Sequence, residues 1–231
     1  MSTYLIVGGS SGIGRKLVDR LLAKNHQVIV WSREKRDLPD HESLQFHSVD
    51  VTGEELPTDS IPSTLDGLVY CPGTIDLKSF RSLKPDLFRQ SFEINVIGAA
   101  RCIQAAERPL KKSEGSSSIV LFSTVAVSKG MPFHAAVASA KGAVEGLTRS
   151  LAAEFAPQVR VNAIAPSLTD TPLAGGLLKT DEKRQAGADR HPLKRIGTAE
   201  DMATMADFLL GDESVFITAQ IIGIDGGLAN L

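Results

Sequence analysis

The sequence predicts an α/β fold, a doubly wound parallel sheet covered by helices on both faces. Three observations predict it. Seven short apolar runs recur along 231 residues. Longer stretches with apolar residues at helical spacing lie between them. A glycine-rich turn joins the first run to the first of those stretches. Runs rich in Val and Ile and apolar on both faces are what a sheet buried on both sides requires.

The elements follow in order. Tyr4–Gly8 (YLIVG) reads as a strand, and Ile13, Leu17, Val18, Leu21 and Leu22 mark the helix after it. Gln27–Trp31 (QVIVW), Leu44–Val49 and Gly67–Cys71 (GLVYC) read as the next three strands. Phe88, Phe92, Asn95 and Val96 share a helical face in a segment running to about Glu107. Lys111–Ser118 is a polar turn into the strand Ser118–Ser123 (SIVLFS). A helix over about Ala138–Phe155 leads to the strand Val159–Ala165, and a helix over about Ala199–Leu210 to the strand Gln220–Ile224. Leu168–Arg195 has no clear period. Loops of that length in a compact domain often serve as lids. No linker or repeat divides residues 1–231, which predicts one domain.

Composition narrows the function. The chain is 42% apolar and 23% charged, ordinary for a globular domain. Twenty-five basic and 27 acidic residues leave a net charge of −2, against a basic nucleic-acid binder and against disorder. Cys71 and Cys102 cannot build a disulfide framework, and no Cys/His pattern suggests a metal. His26, His41, His47, His134 and His191 are scattered and read as surface or polar-core residues. No apolar run approaches the roughly 18 residues of a membrane helix. Met1–Gly14 has no basic region ahead of its apolar stretch, which argues against a signal peptide. Low cysteine usage fits a reducing cytoplasm.

The first strand leads into Gly8-Gly9-Ser10-Ser11-Gly12-Ile13-Gly14 and then a helix. Glycines let backbone approach a pyrophosphate, and the helix N-terminus offers free N–H groups. The spacing differs from the commoner G-x-G-x-x-G, so a plain structural turn stays open. The same residues match G-x-S-x-G, the nucleophile elbow of a hydrolase, with Ser10 as nucleophile. That elbow normally follows several strands, and here the turn follows the first. The second strand ends in Ser32-Arg33 where an NAD site wants an acid for the ribose 2′-hydroxyl. The planar fork of Arg33 suits a 2′-phosphate, which favours NADP(H); a solvated basic loop is the alternative.

These residues resemble the classical short-chain dehydrogenase/reductase family over nearly the whole chain. Gly8-xxx-Gly12-x-Gly14 matches its glycine turn. Asp50-Val51 resembles its adenine-contacting pair. Tyr70-Cys71-Pro72-Gly73 stands at its Asn-Asn-Ala-Gly, with only the glycine kept. Asn95 matches its helix asparagine, and Val161–Ser167 (VNAIAPS) is similar to its VNAIAPG. Thr171 falls at the nicotinamide-contacting threonine. His191–Gly197 through Asp225-Gly226-Gly227 resembles its C-terminal run. The resemblance implies a Rossmann-type sheet in strand order 3-2-1-4-5-6-7. It implies NADP(H) held by Gly8, Ser10, Ser11, Gly12, Ile13, Gly14, Ser32, Arg33, Asp50, Val51, Cys71, Gly73, Lys141, Pro166, Leu168 and Thr171. It implies a small-molecule carbonyl or alcohol substrate, a specificity lid over 168–195, and a homodimer or homotetramer packed through the helices of Asn95 and Lys141.

One departure bears on chemistry. The family protonates the nascent alkoxide from a tyrosine four residues before the lysine, one helical turn away. Here Lys141 is present but Val137 stands in the tyrosine's place. Thirteen residues before Val137, Thr124 stands where the family has an oxyanion-stabilising serine, with Ser123 adjacent. Asn95 would support the helix and a water chain. Tyr4 opens the first strand, and Tyr70 is expected nearer the adenosine half. His134, three residues before Val137, is a candidate substitute acid. The expectation is an NADP(H)-dependent oxidoreductase with atypical proton transfer; a cofactor-binding protein without turnover is the alternative.

Overall fold

Strand parity builds the molecule. In the computed structural model, which describes all residues Met1–Leu231, β1 (Thr3–Val7) sends Leu5 and Val7 to one face and Tyr4 and Ile6 to the other. β2 (Gln27–Ser32) does the same with Ile29 and Trp31 against Val28 and Val30. β5 (Ser117–Phe122) repeats it with Ile119 and Leu121 against Val120 and Phe122. Each face therefore has its own core, which is why these runs are apolar throughout. β3 (Leu44–Ser48) is the sheet edge and is only half buried.

With β4 (Gly67–Tyr70), β6 (Val159–Pro166) and β9 (Ile221–Ile224), the parallel sheet runs β3-β2-β1-β4-β5-β6-β9. That is the expected order. The two-residue strands β7 (Thr169–Asp170) and β8 (Gly197–Thr198) pair apart from it. On one face lie α1 (Gly12–Ala23) and α7 (Ala199–Leu210), tied by Asp207, which accepts from Arg20 and from Lys24 at 2.8–3.1 Å. On the other face lie α2 (Pro85–Phe92), α3 (Gly98–Lys111) and α5 (Ala135–Phe155). No helix is long and apolar enough to cross a membrane.

Three expectations need correction. The helical segment ending near Glu107 is α2, a π-helical turn over Glu93–Ile97, and α3, which continues to Lys111. A π turn adds one residue to a helical turn while leaving the apolar pattern readable as helix. The helix expected from Ala138 begins at Ala135, so Val137 already lies within it, and a short α4 (Val125–Lys129) precedes it. Leu168–Arg195 is not aperiodic coil. It holds β7, a 3-10 turn over Pro172–Leu177 and α6 (Asp181–Asp189). The sequence of α6, DEKRQAGAD, buries only Gly187, so no apolar face announced it.

Candidate cofactor and active site

At the carboxyl ends of β1, β2 and β4 the sheet opens into a cavity of about 670 Å³. Its floor is the glycine turn. Gly8 has φ +79°, a left-handed conformation open to glycine at little cost, and a Cβ on Gly14 would collide with the Gly8 carbonyl oxygen. The turn can therefore pack hard against the start of α1. No side chain caps that helix, so its first N–H groups face the cavity free for an anion. Ser32, buried at the end of β2, accepts from the Ser10 backbone N–H at 3.3 Å and fixes the turn against the sheet.

The expected residues gather here. Gly8, Ser10, Ser11, Gly12, Ile13, Gly14, Ser32, Arg33, Asp50, Val51, Cys71, Gly73 and Thr171 all line the cavity. Arg33 is exposed at its rim and pairs with no carboxylate, whereas Arg36 lies 3.5 Å from Glu34. Asp50 accepts from the Thr52 backbone N–H (2.9 Å) and hydroxyl (2.8 Å), which with nearby Arg33 hold its carboxyl below the usual range. Burial pushes the Cys71 thiol up to about 12, so it stands neutral in the wall. Lys141, Pro166 and Leu168 lie outside this wall. The structure adds Gln90 and Ile94, which sequence reading missed; neither belongs to a motif, and only the fold brings α2 and the π turn to the cavity.

Beyond Gly73 lies a second group. Asn95, 1% exposed, donates to the Ser91 carbonyl at 2.7 Å and to the Thr74 hydroxyl at 3.2 Å, yet its Oδ1 has no partner. A Cβ on Gly73 would sit 3.2 Å from that Oδ1 and 3.4 Å from the Lys141 Nζ. Two unpartnered polar atoms thus face one space beside the cavity. An orphaned buried acceptor is costly unless something occupies that space. Burial lowers the Lys141 ammonium to about 8.

The hydroxyls and the histidine stand in different surroundings. Ser123 is buried and donates to Glu145 of α5 at 2.7 Å, so its hydroxyl is already engaged. Thr124 caps α4, accepting from the Ala126 N–H at 3.3 Å and donating at 3.4 Å to the carbonyl of Pro166. Both bonds are long, and this is the hydroxyl free to reorient. His134 precedes α5, and its Nδ1 donates to the Pro132 carbonyl at 2.7 Å; nothing joins it to Thr124 or Lys141. Val137 is buried one turn before Lys141. Tyr70 lies, as expected, nearer the adenosine half: it is buried in the core beside Val51 and donates to the Ile94 carbonyl, and burial raises its pKa. Tyr4 is likewise buried. Ser10 bonds to no histidine, so the turn has no base to activate a nucleophile.

The chain is similar to known proteins over nearly its whole length. A family model described as Enoyl-(Acyl carrier protein) reductase matches residues 7–229. A tropinone reductase homolog from Arabidopsis thaliana is 31% identical over 240 residues, covering 97% of this chain and 91% of that protein. L-xylulose reductase from Bos taurus is 29% identical over 230 residues, covering 96% and 94%. Among solved structures, ElxO with NADP bound superposes with a TM-score of 0.91 at 28% identity over 100% of both chains. A tyrosine-to-phenylalanine variant of ElxO with NADPH bound matches equally well.

Proposed function

The chain belongs to the short-chain dehydrogenase/reductase family, and from that premise we propose that it is an NADP(H)-dependent oxidoreductase of a small carbonyl or alcohol. One observation carries the reading. The cavity runs from an uncapped helix N-terminus over a glycine cradle to an unpaired arginine at its rim. Those parts fit a pyrophosphate and a 2′-phosphate. The orphaned Asn95 Oδ1 and the partnerless Lys141 Nζ suit the polar groups of the cofactor's nicotinamide ribose end, or an ordered water there.

When bound, the nicotinamide supplies or takes the hydride. The protein's own residues do the rest. Thr124 turns its hydroxyl to the substrate oxygen. Val137 has no exchangeable proton, so in this reading Lys141, one helical turn further along α5, provides it. An ammonium lowered to about 8 by burial can donate near neutral pH. Lys141 suits this better than His134, whose Nδ1 is held by the Pro132 carbonyl. Residues 168–195 contribute the substrate wall. Ile97, 44% exposed beside α3, supports packing of copies into a homodimer or homotetramer through α3 and α5; sedimentation showing only monomer would remove that part.

The test is substrate-dependent loss of NADPH absorbance across a carbonyl panel, with wild type and Val137→Tyr side by side. The reading expects slow turnover by wild type and a gain of about 10²-fold or more in the variant, since a positioned general acid is worth roughly 10²–10⁴-fold. Val137 itself favours a second reading, a protein that holds NADP(H) without turnover. NADPH binding with no turnover in either protein would select it.

A further inference from the structure

We propose that His191 is a positioning residue that hangs the segment Leu168–Arg190 over the cofactor cavity without touching cofactor or substrate. This rests on the reading of that cavity as a dinucleotide site. His191 is 1% exposed, and both ring nitrogens are engaged. Nδ1 lies 2.7 Å from the Gly187 carbonyl, which can only accept, so Nδ1 carries the proton. Nε2 shares a 2.8 Å hydrogen bond with the Ser167 hydroxyl.

These two partners stand at the two ends of the segment. Ser167 is where the chain leaves β6, and Gly187 lies in α6 near the return. Gly187 sits close on Leu168 and Ile196: a Cβ there would lie 2.9 Å from Leu168 Cδ2 and 3.2 Å from Ile196 Cγ2. The imidazole thus closes a loop of chain on itself, assisted by the two-residue pairing of β7 with β8. Inside that loop Thr171, Pro172 and Leu173 form one wall of the cavity. A Cβ on Gly12 would lie 3.6 Å from both Thr171 and Pro172, so this wall faces the glycine turn directly. Displacing the segment widens the cavity on the side away from Arg33 and Asp50. Ser167 replaces the glycine of the motif that Val161–Ser167 otherwise resembles, so the hydroxyl partner of His191 is a feature of this chain.

The experiment compares two probes. NADPH spans the whole cavity, and adenosine 2′-monophosphate, with no 5′-phosphate for the glycine turn, engages only the Arg33 and Asp50 end. His191→Ala is expected to weaken NADPH roughly tenfold, from two lost hydrogen bonds, and to leave the monophosphate unchanged. Ser167→Ala is expected to weaken NADPH less. His191→Asn, whose amide can still donate to Gly187, is expected to recover part of the loss. In the protein without nucleotide, the alanine variants expose 168–190 to limited proteolysis ahead of wild type. Unchanged NADPH affinity with unchanged cleavage overturns the proposal, as does an equal loss of both probes. If His191→Ala fails to fold, Ser167→Ala decides on the same readouts. If wild type binds neither probe, the dinucleotide reading has failed, and the cleavage comparison still decides whether His191 clamps the segment.

Discussion

At the residue scale the chemistry turns on α5, where a buried valine precedes a buried lysine by one turn. A lysine that acts as the acid must hold its proton. Burial puts Lys141 at about 8, so its contribution is present below that pH and lost as pH rises through it. Turnover is expected to fall above about pH 8, and Lys141→Met is expected to abolish that limb; a rate flat from pH 7 to 10 at saturating NADPH would exclude Lys141 as donor. The adjacent hydroxyls of Ser123 and Thr124 show what sequence withholds. Residues that differ by one position in the chain leave the strand in different directions. Ser123 falls to Glu145, while Thr124 keeps long, weak bonds. Spacing named Thr124 with Ser123 as its neighbour, and the partner on α5 separates them. Lys141 and Asn95 were legible from their motifs. The orphaned oxygen of Asn95 was not, because orphanhood depends on everything packed around it.

At the scale of elements, the strands were legible because each must feed two cores, and β1, β2 and β5 are apolar at every position that matters. The segment after β6 was not, since a helix such as α6 that buries only a glycine has no apolar period to read. The turn between β1 and α1 makes a sharp prediction. Gly14→Ala pushes a methyl against the Gly8 carbonyl, so the turn must open and NADPH binding is expected to be lost in titration, with the sheet intact by circular dichroism. The α1–α7 contact makes another. Asp207 is 6% exposed and faces Arg20 and Lys24. Asp207→Ala leaves two cations that can still reach water, so the expected cost is about 2 kcal/mol. For a chain of this size that is roughly 4–8 °C of melting temperature by calorimetry. An unchanged melt would show the network to be superficial.

At the scale of the whole molecule, one sheet sets the geometry. Strand order β3-β2-β1-β4-β5-β6-β9 reverses direction beside β1, and ligands of such sheets bind outside the strand ends at that switch. The cavity lies there. The glycine turn comes from one side of the switch, the Asn95 and Lys141 pair from the other, and the segment held by His191 bridges them. The direct test is a fluorescence titration of the purified protein with NADPH, using NADH as comparator and Arg33→Ala as control. The account predicts NADPH binding at least tenfold tighter than NADH, with the gap largely closed in the variant, because Arg33 is the one unpaired cation at the rim. Equal affinities would contradict the role of Arg33, and no binding of either nucleotide would contradict the cavity's assignment altogether.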